Sequence, residues 1–370
     1  MPEILAEAAA AFGAANLTVY LVDFGQATLE PMPVRWSQAS IPTTEPVATS
    51  MAGKAFVDQA IVTAERDGEV RVWIPVAEGS DRTGVLALTL PSFDDTLAEA
   101  CEELGLLAGY LIAAHARCTD LYNFYRRRRS LSLAASMQWD LLPPLVLKTE
   151  TVSVAGLVEP AYDVGGDCFD YAANGPTFDL AIMDAMGHGL GSATVSSLAM
   201  GAYRHDRREA RSLEAMHNAL ASTITTQYEG STFVTGLLAR IDCRTGVFSW
   251  TNAGHPRPIL VRRGKVVGEL RSPVTPPWGL LEGTPSVATE ALEPGDCVLL
   301  HTDGVTEART PDGELFGTDR LMDLTTRTAS ELLPPEEIVR TLVRAVLDHQ
   351  SAELSDDATL VLARWDGPAG

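Results

Sequence analysis

Phe178-Asp179-Leu180-Ala181-Ile182-Met183-Asp184-Ala185-Met186-Gly187-His188-Gly189 is the stretch that decides the fold. Its first six residues are apolar apart from Asp179 and read as a buried strand. Asp184 closes that strand, a glycine-rich turn follows, and Gly191 to Tyr203 reads as a helix. Working outward, strands are expected at Val152 to Val158, Thr232 to Ile241, Val247 to Thr251, Pro258 to Arg262, Cys297 to His301 and Asp357 to Trp365. Further helices are expected at Ser212 to Gln227 and Pro335 to Asp348. Strands and helices do not alternate strictly, so a doubly wound parallel sheet fits poorly. Two sheets flanked by helices, an α+β arrangement, fit better.

Acidic residues recur where these strands begin and end. Gly165-Gly166-Asp167 comes after the first strand, and its paired glycines allow a tight turn and a close backbone approach to a bound group. Asp303-Gly304 follows the strand Cys297 to His301, and Asp356-Asp357 opens the last strand. Each alone is an ordinary turn residue. Together, apolar strands could carry several carboxylates to one end of a sheet. Such a cluster stays ionised only if a cation neutralises it, and hard oxygen donors suit Mg²⁺ or Mn²⁺.

The chain has 370 residues, room for two domains, and 46% apolar residues, enough for sizeable cores. A net charge of −21 disfavours nucleic acid as a partner. The one dense basic run, Arg126-Arg127-Arg128-Arg129, is short and reads as a solvated face or junction. The five cysteines are scattered without CxxC spacing, which argues against a disulfide framework and against zinc and fits a reducing cytoplasm. The first fifteen residues carry acids and no Lys or Arg, and no apolar run is long enough to span a bilayer, so a cytoplasmic, membrane-free protein is expected.

Ahead of the acidic motifs, Ile4 to Ala15 reads as a helix, Leu17 to Asp23, Val70 to Val76 and Gly84 to Leu90 as strands, and Asp94 to Ala114 as a helix. A polar turn, Glu78 to Arg82, suggests a hairpin between the last two strands. This order resembles a GAF-type sensory domain over residues 1–118. A long helix is expected from about Thr119 to Leu142, with an apolar stripe of Leu133, Met137 and Leu141, stopped by Pro143-Pro144. It reads either as a helix packed on the following domain or as a signalling helix that also dimerises. Residues 119–150 are thus expected to link a sensory domain to a domain over residues 151–366.

Six phrases occur in order. They are Leu141-Leu142-Pro143, Gly165-Gly166-Asp167-Cys168-Phe169-Asp170, Asp184-Ala185-Met186-Gly187-His188-Gly189, Asn252-Ala253-Gly254-His255-Pro256, Thr302-Asp303-Gly304-Val305-Thr306-Glu307 and Asp356-Asp357-Ala358-Thr359. In order and spacing they resemble the SpoIIE/RsbU-like bacterial branch of the metal-dependent (type 2C, PPM) Ser/Thr protein phosphatases, over about residues 135–365. The resemblance implies an α-β-β-α sandwich and a site holding two Mn²⁺ or Mg²⁺ ions. It makes Asp167 the carboxylate that bridges both ions, Asp184 a ligand of the first, Ala185 a ligand through its backbone carbonyl, and Asp303 a ligand of the second. Of the final pair, Asp356 is preferred as ligand and Asp357 as its neighbour.

The implied reaction is hydrolysis of phosphoserine or phosphothreonine on a partner protein by a hydroxide bridging the two ions. In this branch the usual partner is a small STAS-type anti-anti-sigma factor. His188 could protonate the leaving oxygen, or simply start the next helix. Cys168, where a bulky residue is common, reads as a buried filler or an oxidation-sensitive thiol. His255 sits in a Gly-His-Pro turn and is assigned no chemistry. No phosphate-holding arginine is evident. A catalytically silent module with the same fold is the alternative, and a metal-dependent nuclease or nucleotide hydrolase is a weaker one.

Overall fold

The computed structural model describes residues 2–32, 43–66, 68–78, 81–116, 118–159, 165–280, 283–331, 333–350 and 357–368. Two compact units divide between Ser130 and Leu131.

The first unit runs α1 (Pro2–Ala11), β1 (Ala15–Val22), β2 (Thr28–Met32), β3 (Glu45–Pro46), α2 (Met51–Asp58), β4 (Val62–Arg66), β5 (Glu69–Glu78), β6 (Asp81–Leu90), α3 (Asp95–Ala116) and α4 (Leu121–Tyr125). Its six strands form one antiparallel sheet in the order β3-β2-β1-β6-β5-β4. Period-two alternation gives the sheet two apolar faces. Val19, Leu21, Val72, Ile74, Leu86 and Leu88 pack with Leu5 of α1 and Leu104, Ala108 and Ile112 of α3. Tyr20, Val22, Trp73, Val85 and Ala87 pack with Ala52, Ala55 and Phe56 of α2 on the other face. Glu78 pairs with Asp81, which closes the expected hairpin, while Gly79 and Ser80 lie outside the described residues.

The helix expected over Thr119 to Leu142 is instead two. α4 ends at Tyr125, and α5 spans Leu133–Leu141. Four consecutive arginines cannot continue a helix without like-charge crowding at i,i+3. Ser132 then starts a new helix by accepting the Ala135 N–H at 3.0 Å. The apolar stripe is also not the packed face. α5 buries Ala134, Ala135 and Gln138, and leaves Leu133 63% exposed.

The second unit continues through β7 (Val146–Lys148), β8 (Val152–Glu159), β9 (Asp167–Asn174), β10 (Thr177–Ala185), α6 (Leu190–Arg208), α7 (Leu213–Tyr228), β11 (Val234–Asp242) and β12 (Val247–Ala253). It ends with β13 (Ile259–Arg262), β14 (Lys265–Glu269), β15 (Val274–Thr275), β16 (Ala288–Ala291), β17 (Cys297–His301), α8 (Asp303–Thr306), α9 (Thr318–Ser330), α10 (Pro335–His349) and β18 (Ala358–Trp365). One sheet has the order β15-β12-β11-β10-β9 with β16 also on β12; the other has the order β14-β13-β17-β18-β8-β7. Along β10, Phe178, Leu180 and Ile182 enter the core between the sheets, whereas Ala181, Met183 and Ala185 face α6 and α7. Leu321 of α9 and Ile338, Leu342 and Val346 of α10 cover the second sheet. The layers are therefore helix, sheet, sheet, helix, the α-β-β-α sandwich expected. Among the described residues no helix is long and apolar enough to cross a membrane.

Candidate active site

The site lies at one end of the sandwich, where both sheets supply polar residues. β9 and β10 are antiparallel neighbours, and their register sets Asp167 directly opposite Asp184. By alternation, Asp167 shares a face with Phe169, and Asp184 with Ile182, so both carboxylates continue the inter-sheet face beyond its apolar part. Asp167 is buried. Its pKa is driven well above the carboxylate range, first by burial and then by Asp184 and Asp357, while the hydroxyls of Thr302 and Thr359 pull it down. Like charges at a buried site favour a bound cation.

The glycine pair is explained by what approaches it. A side chain on Gly166 would place Cβ 2.2 Å from the Ala185 carbonyl oxygen, and one on Gly165 would sit 2.8 Å from Asp357 Oδ2. The Ala185 N–H donates to the Gly166 carbonyl at 3.2 Å, and the Ser196 hydroxyl of α6 donates to the same oxygen. The loop is thus pinned between β10 and α6, with the Ala185 carbonyl against its backbone.

From the opposite sheet, Asp357 Oδ2 accepts the Gly165 N–H at 2.6 Å and the Asp167 N–H at 3.4 Å. The Thr302 hydroxyl donates to Asp167 Oδ2 at 2.6 Å. Asp303, the next residue, is exposed at the start of α8. His188 is exposed in the turn before α6, its Cα 3.3 Å from where a Gly165 Cβ would be. Asp356, the preferred ligand of its pair, lies outside the described residues. Asp167, Asp184, Ala185, His188 and Asp357 are brought together around the Gly165–Gly166 loop, and Thr302 carries Asp303 to its edge. Among the described residues no group of three or more His, Cys, Asp or Glu is arranged to hold a metal ion.

Neighbouring residues turn out to be structural. Cys168 is buried, and burial followed by the Asp167 charge raises its thiol pKa, which fits a buried filler. Asp170 is buried between Arg204 and Arg207 of α6, at 2.9 and 2.7 Å, and Arg204 also donates to the Leu141 carbonyl at the end of α5. His255 is buried and held neutral, its pKa lowered to about 3 by burial and by His301, with Nδ1 2.9 Å from the Thr235 hydroxyl. Sequence reasoning missed Thr302, Ser196 and the two arginines. Thr302 stood within a quoted phrase, but nothing local shows that its hydroxyl reaches across to the other sheet.

The α-β-β-α sandwich is the fold of the PP2C-type phosphatase domains. The chain resembles the RsbU and RsbW domains of Rv1364c from Mycobacterium tuberculosis, with TM-score 0.53 and 27% identity over 60% of this chain and 61% of that one. The SiaA-PP2C domain of Pseudomonas aeruginosa superposes with TM-score 0.54 at 22% identity, covering 69% of this chain and all of that domain, which is a likeness of fold. More narrowly, residues 174–366 match the family described as Stage II sporulation protein E (SpoIIE), and the chain belongs to that family. The matched span includes Asp184, His188, Asp303 and the Asp356-Asp357 pair, and begins after Asp167.

Phosphoserine phosphatase RsbU of Bacillus subtilis (strain 168) is 24% identical over 243 residues, 64% of this chain and 70% of the relative. Phosphoserine phosphatase RsbP of the same strain is 25% identical over 243 residues, 64% of this chain and 57% of the relative.

Proposed function

We propose that the protein hydrolyses phosphoserine or phosphothreonine on a partner protein at the Asp167–Asp184 end of the sandwich, using two divalent cations. The observation that carries this reading is the buried Asp167 carboxylate, destabilised by Asp184 and Asp357. An isolated group of this kind would be protonated or replaced; a cation makes its charge useful. The donors are all oxygen, which fits Mn²⁺ or Mg²⁺ and not a thiolate-seeking metal. Asp167, Asp184, the Ala185 carbonyl, Asp303 and Asp356 would hold the ions. Bound there, such cations supply Lewis acidity that lowers the pKa of water and neutralises charge on a phosphoryl group.

The chain's own residues do the rest. Asp167 and Asp184 would set the spacing of the carboxylates that hold the cations, because their strands are paired residue for residue. Thr302 and Asp357 hold the Asp167 loop still. His188, exposed in the turn before α6, would pass a proton to the departing serine or threonine oxygen. Cys168 is buried with a raised thiol pKa, so no covalent phospho-enzyme is expected on it.

The relatives named phosphoserine phosphatases support a phosphoprotein as substrate. A STAS-type anti-anti-sigma factor is the partner we favour, and the cytoplasm the compartment. Residues 1–118 are proposed to be a GAF-like regulatory domain acting through residues 119–150, with dimerisation through one of these segments. A second reading, a catalytically silent module of the same fold, draws on the lack of a closed three-residue metal cluster among the described residues.

Hydrolysis of p-nitrophenyl phosphate separates the two. The phosphatase reading predicts turnover that needs Mn²⁺, stops with EDTA and falls at least about 100-fold in Asp184→Asn with folding intact. No turnover of this compound or of a phosphoserine protein by the folded chain would favour the silent module.

A further inference from the structure

We infer that Thr302 is a positioning residue for Asp167, an inference that rests on the two-cation reading above. Thr302 leaves the end of β17 in one sheet, while Asp167 begins β9 in the other, so their hydrogen bond crosses the sandwich. The donor direction is fixed by chemistry. Thr302 Oγ1 accepts the Thr359 N–H at 2.9 Å, and an N–H can only donate. The single hydroxyl proton is therefore left for Asp167 Oδ2, 2.6 Å away. The Thr302 backbone is held as well, its N–H donating to the Thr359 carbonyl at 3.1 Å, and a β-branched side chain has little χ1 freedom.

The consequence is a carboxylate with one committed oxygen. Thr302 commits Asp167 Oδ2 in this way. Asp357 holds the Asp167 main-chain N–H from the same side of the sandwich. Backbone and side chain are thus both tied to the opposite sheet, so the carboxylate would meet a cation without the entropic cost of ordering a free side chain. Groups that orient a ligand from behind commonly govern metal affinity.

The test compares Mn²⁺ binding to the metal-free full chain by titration calorimetry in wild type, Thr302→Val and Thr302→Ser. Valine keeps the shape and loses the donor; serine keeps the donor. The expected result is an affinity loss of about 10–100-fold in Thr302→Val, with Thr302→Ser within about threefold of wild type. At saturating Mn²⁺ the valine variant should keep the wild-type KM for p-nitrophenyl phosphate. If valine prevents folding, Thr302→Ala takes its place, and the serine variant remains decisive. Equal affinity in wild type and Thr302→Val overturns the inference. So does equal damage by valine and serine, which would make packing the cause. A wild type that binds no Mn²⁺ overturns the functional reading and the inference with it.

Discussion

At the scale of single residues, the site trades stability for charge. Asp167 is buried beside Asp184 and Asp357, and its ionised form is held at a cost in the metal-free protein. Asp167→Asn keeps the size and an acceptor for Thr302 while removing the charge. It should raise the melting temperature of the metal-free protein, by the equivalent of on the order of 1 kcal/mol, and abolish Mn²⁺-dependent turnover. Calorimetric scans without metal check this; a lower melting temperature would contradict it.

His217 offers a separate check, away from the carboxylates. It is buried between Thr251 and Thr275, and burial lowers its pKa to about 4. Between that value and the ordinary histidine value the unfolded chain binds a proton that the native state refuses, so stability falls as pH drops through this window. The expected loss is on the order of 1 kcal/mol per pH unit. His217→Gln should flatten, without abolishing, that slope in urea denaturation at pH 7, 6 and 5, because buried His255 and His301 have the same sign. Asp167 and Asp303 were legible in the sequence because each stands beside glycine near a strand end, and Asp184 because it closes an apolar run. Thr302 was not, because its partner is 135 residues away.

At the scale of elements, the strands with clean apolar runs were legible, β10 above all. β9 was not anticipated. Its sequence places Asp167 and Asp170 in a strand buried on both faces, and the charges that satisfy Asp170 come from α6, 34 and 37 residues later. The long helix over Thr119 to Leu142 failed for the converse reason. The apolar stripe lay wholly in its C-terminal part, Leu133 to Leu141, while the arginine run and the Ser132 cap divide it. Arg204 fastens three elements, taking Asp170 of β9 with two nitrogens and the Leu141 carbonyl of α5. Arg204→Ala leaves the Asp170 carboxylate, 2% exposed, with Arg207 as its remaining ion-pair partner. Loss of about 3 kcal/mol in chemical denaturation is expected, the range for breaking a buried pair. A change below about 0.5 kcal/mol would show the clamp to be ornamental.

At the scale of the whole molecule, the division between Ser130 and Leu131 places α5 with the sandwich. Ala135 and Leu145 belong to its largest apolar cluster, and the Leu141 carbonyl accepts from Arg204. A chain beginning at Leu131 should therefore melt cooperatively and keep Mn²⁺-dependent turnover, whereas one beginning at Thr151 should be markedly less stable. Thermal melts of the two truncations check this, and equal stability would remove α5 from the folded unit. If the first unit regulates, the chain beginning at Leu131 should differ from the full chain in turnover rate or oligomeric state; no difference in either would end that proposal. Fold class and order of the acidic motifs were readable from the sequence because strand patterning is local. The facing of two sheets across one site was not, since it depends on pairings far apart in the chain.

The central claim is that the carboxylates of β9 and β10 hold the catalytic cations. Anomalous diffraction at the manganese edge, on crystals of the full chain grown with Mn²⁺, tests it most directly. Two peaks within coordinating distance of the Asp167 carboxylate, one of them also on Asp184 and the Ala185 carbonyl, are predicted. Manganese absent from this end of the sandwich in a well-ordered, Mn²⁺-saturated crystal would contradict it.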